Sequence, residues 1–206
     1  MSLFNVNDIG ASLPPVEPRR RTRAKEGRSH VRQEQEAHIP VRVARVAQLL
    51  PGELREGASL HLVSAGQFSN FDLIEALLSY FDSPPVLHLA TWSSSDSAVR
   101  QLARLRTSGR VAQLHSLMDL HASQMRTDGA AFLTTVSDSF GTTNIHAKVA
   151  ALVGQTTGFV VLGSANLTRN PRIEAACITR SREVAAFHAA WIQACIRDGA
   201  LLRETP

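Results

Sequence analysis

Two short groups of polar residues have the types and spacing for phosphate chemistry. His146 and Lys148 stand two apart in the apolar run 145–153, so in a strand both side chains would point to the same side. Ser164 and Asn166 directly follow a second apolar run. If the two runs pair as strands, an imidazole, an ammonium, a hydroxyl and a carboxamide converge. Such a set can donate hydrogen bonds to phosphate oxygens and supply a nitrogen that attacks phosphorus.

The lysine of this group is rare in the chain. The sequence has two lysines, Lys25 and Lys148, against twenty arginines. A compact ammonium suits a phosphate oxygen in a narrow site better than a guanidinium fork does. The alternative is a lysine that ends a strand face in solvent.

The tripeptide His146-Ala147-Lys148 and the tetrapeptide Gly163-Ser164-Ala165-Asn166 closely resemble the signature of the phospholipase D superfamily, His-x-Lys followed by Gly-Ser-x-Asn. The family carries an Asp seven residues after the His, where this chain has Val153. Some members have a further acid downstream, and Glu174 matches that position.

The resemblance implies a covalent mechanism that needs neither a metal nor a cofactor. His146 would attack phosphorus, and Glu174 would orient its imidazole. Lys148, Ser164 and Asn166 would hold the non-bridging oxygens and the charge that grows on them.

The implied reaction needs a second histidine, which protonates the leaving group and then activates water. Family members with one His-x-Lys motif obtain it by dimerising, and this chain has one such motif. The resemblance therefore implies a homodimer with a shared site. A monomer that uses His115 or His121 as the acid is the alternative.

Apolar runs alternate with amphipathic segments along the chain, which predicts an α/β fold. We expect a single phospholipase D-like domain over residues 41–206, with a mostly parallel or mixed sheet flanked by helices on both faces. The predicted strands are residues 59–64, 86–91, 111–117, 132–136, 145–153, 158–162 and 174–179. The predicted helices are residues 41–50, 70–81, 96–107, 119–126 and 181–197, with Asn70 as a possible helix cap.

The strand ends supply two further substrate-binding candidates. Ligands of open α/β sheets gather beyond the carboxyl ends of strands. Gly163 begins the Gly-Ser-x-Asn run, and Trp92 follows the predicted strand 86–91, where its ring could stack on a base.

Residues 1–40 differ from the rest and predict a basic, flexible arm. The window 19–32 holds seven basic residues and one acid, a net of +6, whereas the whole chain is +4. Such an arm binds nucleic-acid phosphates by releasing counterions. A solvated tail or a contact to another subunit is the alternative. The candidate substrate-binding arginines are Arg19, Arg20, Arg21 and Arg23.

Other classes of site are disfavoured by what the sequence lacks. There is no metal-ligand spacing, no Walker loop and no GxSxG elbow. No apolar run is long enough to span a bilayer, and no export signal is evident. Cys177 and Cys195 show no metal-type spacing, so we expect free thiols in the cytoplasm.

The motif and the arm together predict a nuclease, a phosphoric diester hydrolase that acts on DNA or RNA as a homodimer. One alternative is a phospholipase D-like fold with decayed catalysis that binds DNA or a partner protein. Another is a phospholipid hydrolase or transferase, which the absence of a basic amphipathic helix disfavours.

Deleting residues 1–38 should weaken nucleic-acid binding and flatten its salt dependence. If all seven basic residues of the window met phosphates, the slope of log affinity against log salt would fall by up to about six. Titrations at several salt concentrations measure the slope. An unchanged slope would assign the arm to solvent or to a subunit contact.

Overall fold

The fold is taken from a computed structural model of the chain. The structure describes residues 27–33, 35–41, 46–50, 54–65, 68–124, 128–168 and 172–198, with residues 27–41 described by their backbone alone.

The described residues form nine strands and five α-helices. The strands are β1 (Gly27–Gln33), β2 (Gln35–Val41), β3 (Ser59–Ala65), β4 (Val86–Thr91), β5 (Gln113–Asp119), β6 (Ser139–Thr143), β7 (Val149–Val153), β8 (Gly158–Gly163) and β9 (Ile173–Arg180). The helices are α1 (Asn70–Leu77), α2 (Asp96–Thr107), α3 (Leu120–Gln124), α4 (Asp128–Val136) and α5 (Arg182–Asp198).

All nine strands belong to one mixed sheet in the order β2-β1-β3-β9-β8-β7-β4-β5-β6. Strands β4, β5 and β6 run parallel, and the remaining neighbours pair antiparallel. The carboxyl ends of β3, β4, β5, β6 and β8 therefore meet the amino ends of β7 and β9 at one edge of the sheet. We call this edge the motif edge, because both polar motifs lie there.

The sheet is covered on both faces, as its strand periodicity requires. In β7, Ala150 and Leu152 pack into a core with α1, α2 and α4, while Val149 and Ala151 pack under α5. Helix α5 lies across β4 to β8. This arrangement confirms the predicted α/β class: one domain with a mixed sheet between helices, consistent with a phospholipase D-like fold.

Helix α1 begins with a capping box. The Ser69 hydroxyl accepts from the Asp72 N–H at 3.3 Å, and the Asp72 carboxylate accepts from the Ser69 N–H at 2.7 Å. Such a cap stabilises a helix by about 1 kcal/mol. Asn70, considered as the cap, lies inside the helix instead, and its amide donates to the Ala165 carbonyl at 2.5 Å.

The strand predicted over residues 132–136 is wrong, because that segment belongs to α4. The threonines of this segment favour a strand in the sequence. In the structure their hydroxyls donate to carbonyls of the preceding helical turn, Thr134 to Ala130 and Thr135 to Phe132. Leu133 is buried in the core. Strand β6 was not predicted, because its sequence lacks an apolar alternation.

The amino-terminal elements also differ from the expectation. The helix predicted over residues 41–50 is limited to a 3₁₀ turn at Val46–Gln48, and residues 42–45 lie outside the described part. Strands β1 and β2 fall within the segment predicted as a flexible arm. The division of the chain at residue 40 stays a prediction.

Two histidines stack inside the sheet. The rings of His88 and His115 lie 4.8 Å apart between centroids, and His115 Nδ1 is 2.7 Å from the Ser139 hydroxyl. His88 is only 4% exposed, and its Nδ1 has no partner among the described residues. Burial, together with the smaller effect of the neighbouring His115, lowers the pKa of His88 to about 4.

His88 should therefore make the fold acid-sensitive. Its pKa is lower in the folded chain than the ordinary 6.5, so only the unfolded chain gains this proton as the pH falls from 6.5 towards 4. Over this pH range the free energy of unfolding should fall by about 3 kcal/mol, because each unit of difference in pKa between the two states is worth about 1.4 kcal/mol. Urea unfolding of His88→Leu between pH 7 and pH 4 should show a shallower decline than wild type. An equally steep decline would assign the acid sensitivity to other groups.

Candidate active site

The two motif strands pair as predicted. Strands β7 and β8 are antiparallel neighbours with Val149 opposite Leu162, and the Gly163 N–H continues the ladder to the Lys148 carbonyl at 3.2 Å. However, β7 begins at Val149, so His146 and Lys148 precede the strand. The expectation that a strand turns both side chains to one side is therefore wrong: His146 is exposed, while Lys148 is buried.

Lys148 is the buried cation of the motif edge. Its side chain is 8% exposed, and its ammonium donates to the His146 carbonyl at 2.6 Å. Burial lowers the pKa of Lys148, while the carboxylates of Glu174 and Asp119 act in the opposite direction. The ammonium thus lies within the field of two carboxylates from strands on either side of β7.

Ser164 joins the end of β8 to the beginning of β9. Its hydroxyl donates to the Glu174 carboxylate and accepts from the Ala175 N–H at 3.0 Å. The Ser164 N–H donates to the Ala175 carbonyl at 3.0 Å. Because a hydroxyl has one proton, Ser164 can donate to a phosphate only when the phosphate oxygen replaces Glu174.

Glycine at position 163 permits this close approach of the strands. A Cβ there would lie 3.0 Å from the Ala175 carbonyl oxygen, which is tighter than ordinary contacts. The main chain of β9 would have to move to admit any side chain. The structural role of Gly163 is therefore to let β8 and β9 pack closely. Its contact with substrate stays a prediction.

The segment that carries Asn166 is held through its neighbours. Leu167 makes two backbone hydrogen bonds to the segment after β4. Its N–H donates to the Ser93 carbonyl at 3.2 Å, and its carbonyl accepts from the Ser95 N–H at 2.9 Å. The buried side-chain oxygen of Asn166 has no partner among the described residues. This oxygen therefore does not hold the loop to any of the described residues.

Trp92 lies beside this loop. It is half-buried and directly follows β4, next to Thr91, whose hydroxyl accepts from the Leu167 N–H at 3.4 Å. The structure thus brings Trp92 to the motif edge, and its role as a stacking platform stays a prediction.

Asp119 is a candidate that the sequence did not reveal. It ends β5, is 6% exposed, and accepts three backbone N–H groups. One carboxylate oxygen bonds Ile145 at 3.1 Å, and the other bonds His121 at 3.0 Å and Ala122 at 3.1 Å. The available signal was an acid near a strand end, but the strand was predicted to stop at residue 117.

Val153, which replaces the acid of the family signature, lies far from this cluster. It ends β7 opposite Gly158 and Val86, at the edge of the sheet away from Lys148. At about 3.3 Å per residue, five residues place it roughly 17 Å along the chain from Lys148. The substitution therefore leaves the polar cluster at the motif edge intact.

The two alternative acids lie in different places. His115 is near the beginning of β5, bonded to Ser139 and stacked on His88, so it does not reach the motif edge. His121 follows Asp119 at the motif edge and is exposed. A monomeric mechanism would therefore depend on His121.

The remaining expectations concern partners. The arm residues Arg19, Arg20, Arg21 and Arg23 lie outside the described part of the chain. Within that part, no three His, Cys, Asp or Glu side chains are grouped to hold a metal ion. None of the described helices is long and apolar enough to cross a lipid bilayer. The homodimer and the cytoplasmic location stay predictions.

Comparison with known proteins identifies the fold. No protein-family model matches the sequence, and no curated protein does. Fifteen solved chains match the structure. One is a polyphosphate kinase from Porphyromonas gingivalis, 16% identical with a TM-score of 0.50, over 71% of this chain and 27% of the kinase chain. This chain thus spans about a quarter of that kinase, and the likeness supports the fold alone.

Proposed function

We propose that this chain is a phospholipase D-like phosphodiesterase that cleaves nucleic acid through a phosphohistidine on His146. One observation carries the proposal: an exposed histidine whose carbonyl is bonded by the buried Lys148, on the edge that also holds Ser164 and Glu174. A buried ammonium is costly unless compensated, so its position next to an exposed imidazole favours a functional role.

The proposed reaction has two steps. A neutral ring nitrogen of His146 attacks phosphorus, the bond from phosphorus to the leaving oxygen breaks, and a general acid protonates that oxygen. Water then gives a proton to the same acid–base group and attacks phosphorus, and the phosphorus–nitrogen bond breaks. Lys148 stabilises the charge on the non-bridging oxygens in both steps.

Ser164 and Asn166 would complete the oxygen site. A phosphate oxygen that accepts from the Ser164 hydroxyl releases Glu174 from that bond. The freed carboxylate is then available to His146, the role expected from the resemblance. The NH2 group of the Asn166 carboxamide would donate to a further phosphate oxygen.

Charge favours a nucleic acid over a lipid as the substrate. At the motif edge one ammonium faces two carboxylates, so the described cluster by itself has little attraction for an anion. Strand β1 begins at this edge, with Arg28 opposite Val63, so the part of the basic window within β1 starts there. Basic residues near the site would supply the missing attraction to a polyanion.

Two other functions share the same site. A fold with decayed catalysis would bind DNA or a partner without turnover, and a phospholipid hydrolase or transferase would use the same phosphohistidine on a lipid. The polyphosphate kinase fold is compatible with phosphate-directed chemistry in general.

His146→Ala should abolish hydrolysis of a chromogenic phosphodiester, by about a thousandfold or more, because it removes the attacking atom. Lys148→Ala should cost about a hundredfold, as expected for one lost charge-stabilising donor. His61→Ala, an exposed histidine of β3, is the matched control and should retain activity. Assays in EDTA exclude contaminating metal-dependent nucleases.

The outcomes separate the three functions. Equal activity in His146→Ala and wild type would exclude a phosphohistidine intermediate on His146. An inactive wild type that still binds DNA would indicate decayed catalysis. Parallel assays on single-stranded DNA, RNA and phospholipid vesicles decide the substrate class, and preferred turnover of vesicles would exclude the nuclease.

Mixing His146→Ala with wild-type subunits under exchange tests the shared site. If two copies of His146 flank one phosphate, heterodimers are impaired, and activity falls faster than the fraction of mutant rises. A mixture with His61→Ala subunits controls for the exchange itself. A strictly linear fall would rule out the shared site and leave His121 as the acid.

A further inference from the structure

The Asp119 carboxylate connects two segments that both carry exposed histidines. Its Oδ2 accepts from the Ile145 N–H, and its Oδ1 accepts from the N–H groups of His121 and Ala122. The side chain is 6% exposed, so these three bonds lie in a low-dielectric environment.

These bonds fix the backbone of His146 from one side, and Lys148 fixes it from the other. The Asp119 bond is to the residue immediately before His146, while the Lys148 ammonium bonds the carbonyl of His146 itself. The peptide group that precedes Ile145 and the one that follows His146 are therefore both held, although β7 begins only at Val149.

We propose that Asp119 is the positioning residue of this site: its bond to the Ile145 N–H holds the segment 145–148 against the end of β5. Its effect on turnover rests on the proposed function. Its effects on the Lys148 ammonium and on the segment 145–148 do not.

Asp138 provides a matched control at the opposite edge of the sheet. Its carboxylate also accepts a backbone N–H, from Leu114 at 2.7 Å, and it pairs with Arg106 at 2.8 Å. Like Asp119, it holds the backbone through its carboxylate, but it makes no bond to the residues of the proposed site. A purely structural carboxylate should behave as Asp138 does.

Asp119→Asn should lower kcat about ten- to a hundredfold with little change in KM, because a misplaced nucleophile affects the transition state more than binding. The NH2 group that replaces one carboxylate oxygen is a donor only and cannot accept a backbone N–H. Asp138→Asn should lose stability but keep kcat within about twofold. Both variants are assayed as the full chain, after circular dichroism has shown that they are folded.

The second readout does not need activity. With two lysines in the chain, the Lys148 side-chain NMR signal can be assigned through Lys148→Arg and followed as the pH rises. Burial lowers the pKa of Lys148, and the carboxylates of Glu174 on β9 and Asp119 on β5 partly offset that effect. Removing the Asp119 charge favours the neutral amine, so Lys148 should titrate at lower pH in Asp119→Asn, and as in wild type in Asp138→Asn.

The results distinguish this inference from the proposed function. If wild type hydrolyses no phosphodiester, the proposed function fails, and the Lys148 titration still tests Asp119. If Asp119→Asn matches Asp138→Asn in both kcat and the Lys148 titration, the positioning role is overturned. If Asp119→Asn does not fold, Asp119→Glu takes its place, since it keeps the charge and displaces the carboxylate. A kcat equal to wild type in Asp119→Glu would overturn the role.

Discussion

The structure of the motif edge depends on one buried ammonium. Lys148 is largely removed from water, which disfavours its charge unless oxygen atoms surround it. The His146 carbonyl accepts from the ammonium at 2.6 Å, and the carboxylates of Glu174 on β9 and Asp119 on β5 act on it electrostatically. The sheet order β9-β8-β7-β4-β5 is what places carboxylates from two separate strands on either side of β7.

In the proposed reaction, the same compensation would let the site exchange partners. The Glu174 carboxylate accepts the Ser164 proton and acts electrostatically on Lys148. A phosphate bound there would replace one anion by another, so the buried ammonium would keep an anionic neighbour. Its binding would cost the Ser164–Glu174 bond and would free a carboxylate to orient the exposed imidazole of His146.

Much of the fold could be predicted because its signals are local. The bounds of β4 and α2 match the prediction residue for residue, because the apolar period of each segment is a local signal. The Ser95 hydroxyl, which accepts from the Ala98 N–H, is a further local signal at the beginning of α2. Segment 132–136 was wrongly predicted as a strand, because its threonines suit a strand while the burial of Leu133 in the core favours a helix. Strand β6 has no local pattern and exists through its neighbours β5 and α5.

The sequence by itself determined which functional groups the candidate site offers, because the types and spacing of His146, Lys148, Ser164 and Asn166 are set by the chain. Tertiary structure decided how they are held. Asp119 bonds a residue twenty-six positions away, and Ser164 bonds one ten positions away. Such bonds depend on which strands become neighbours, and that order follows from burying both faces of the sheet together rather than from any short stretch of sequence.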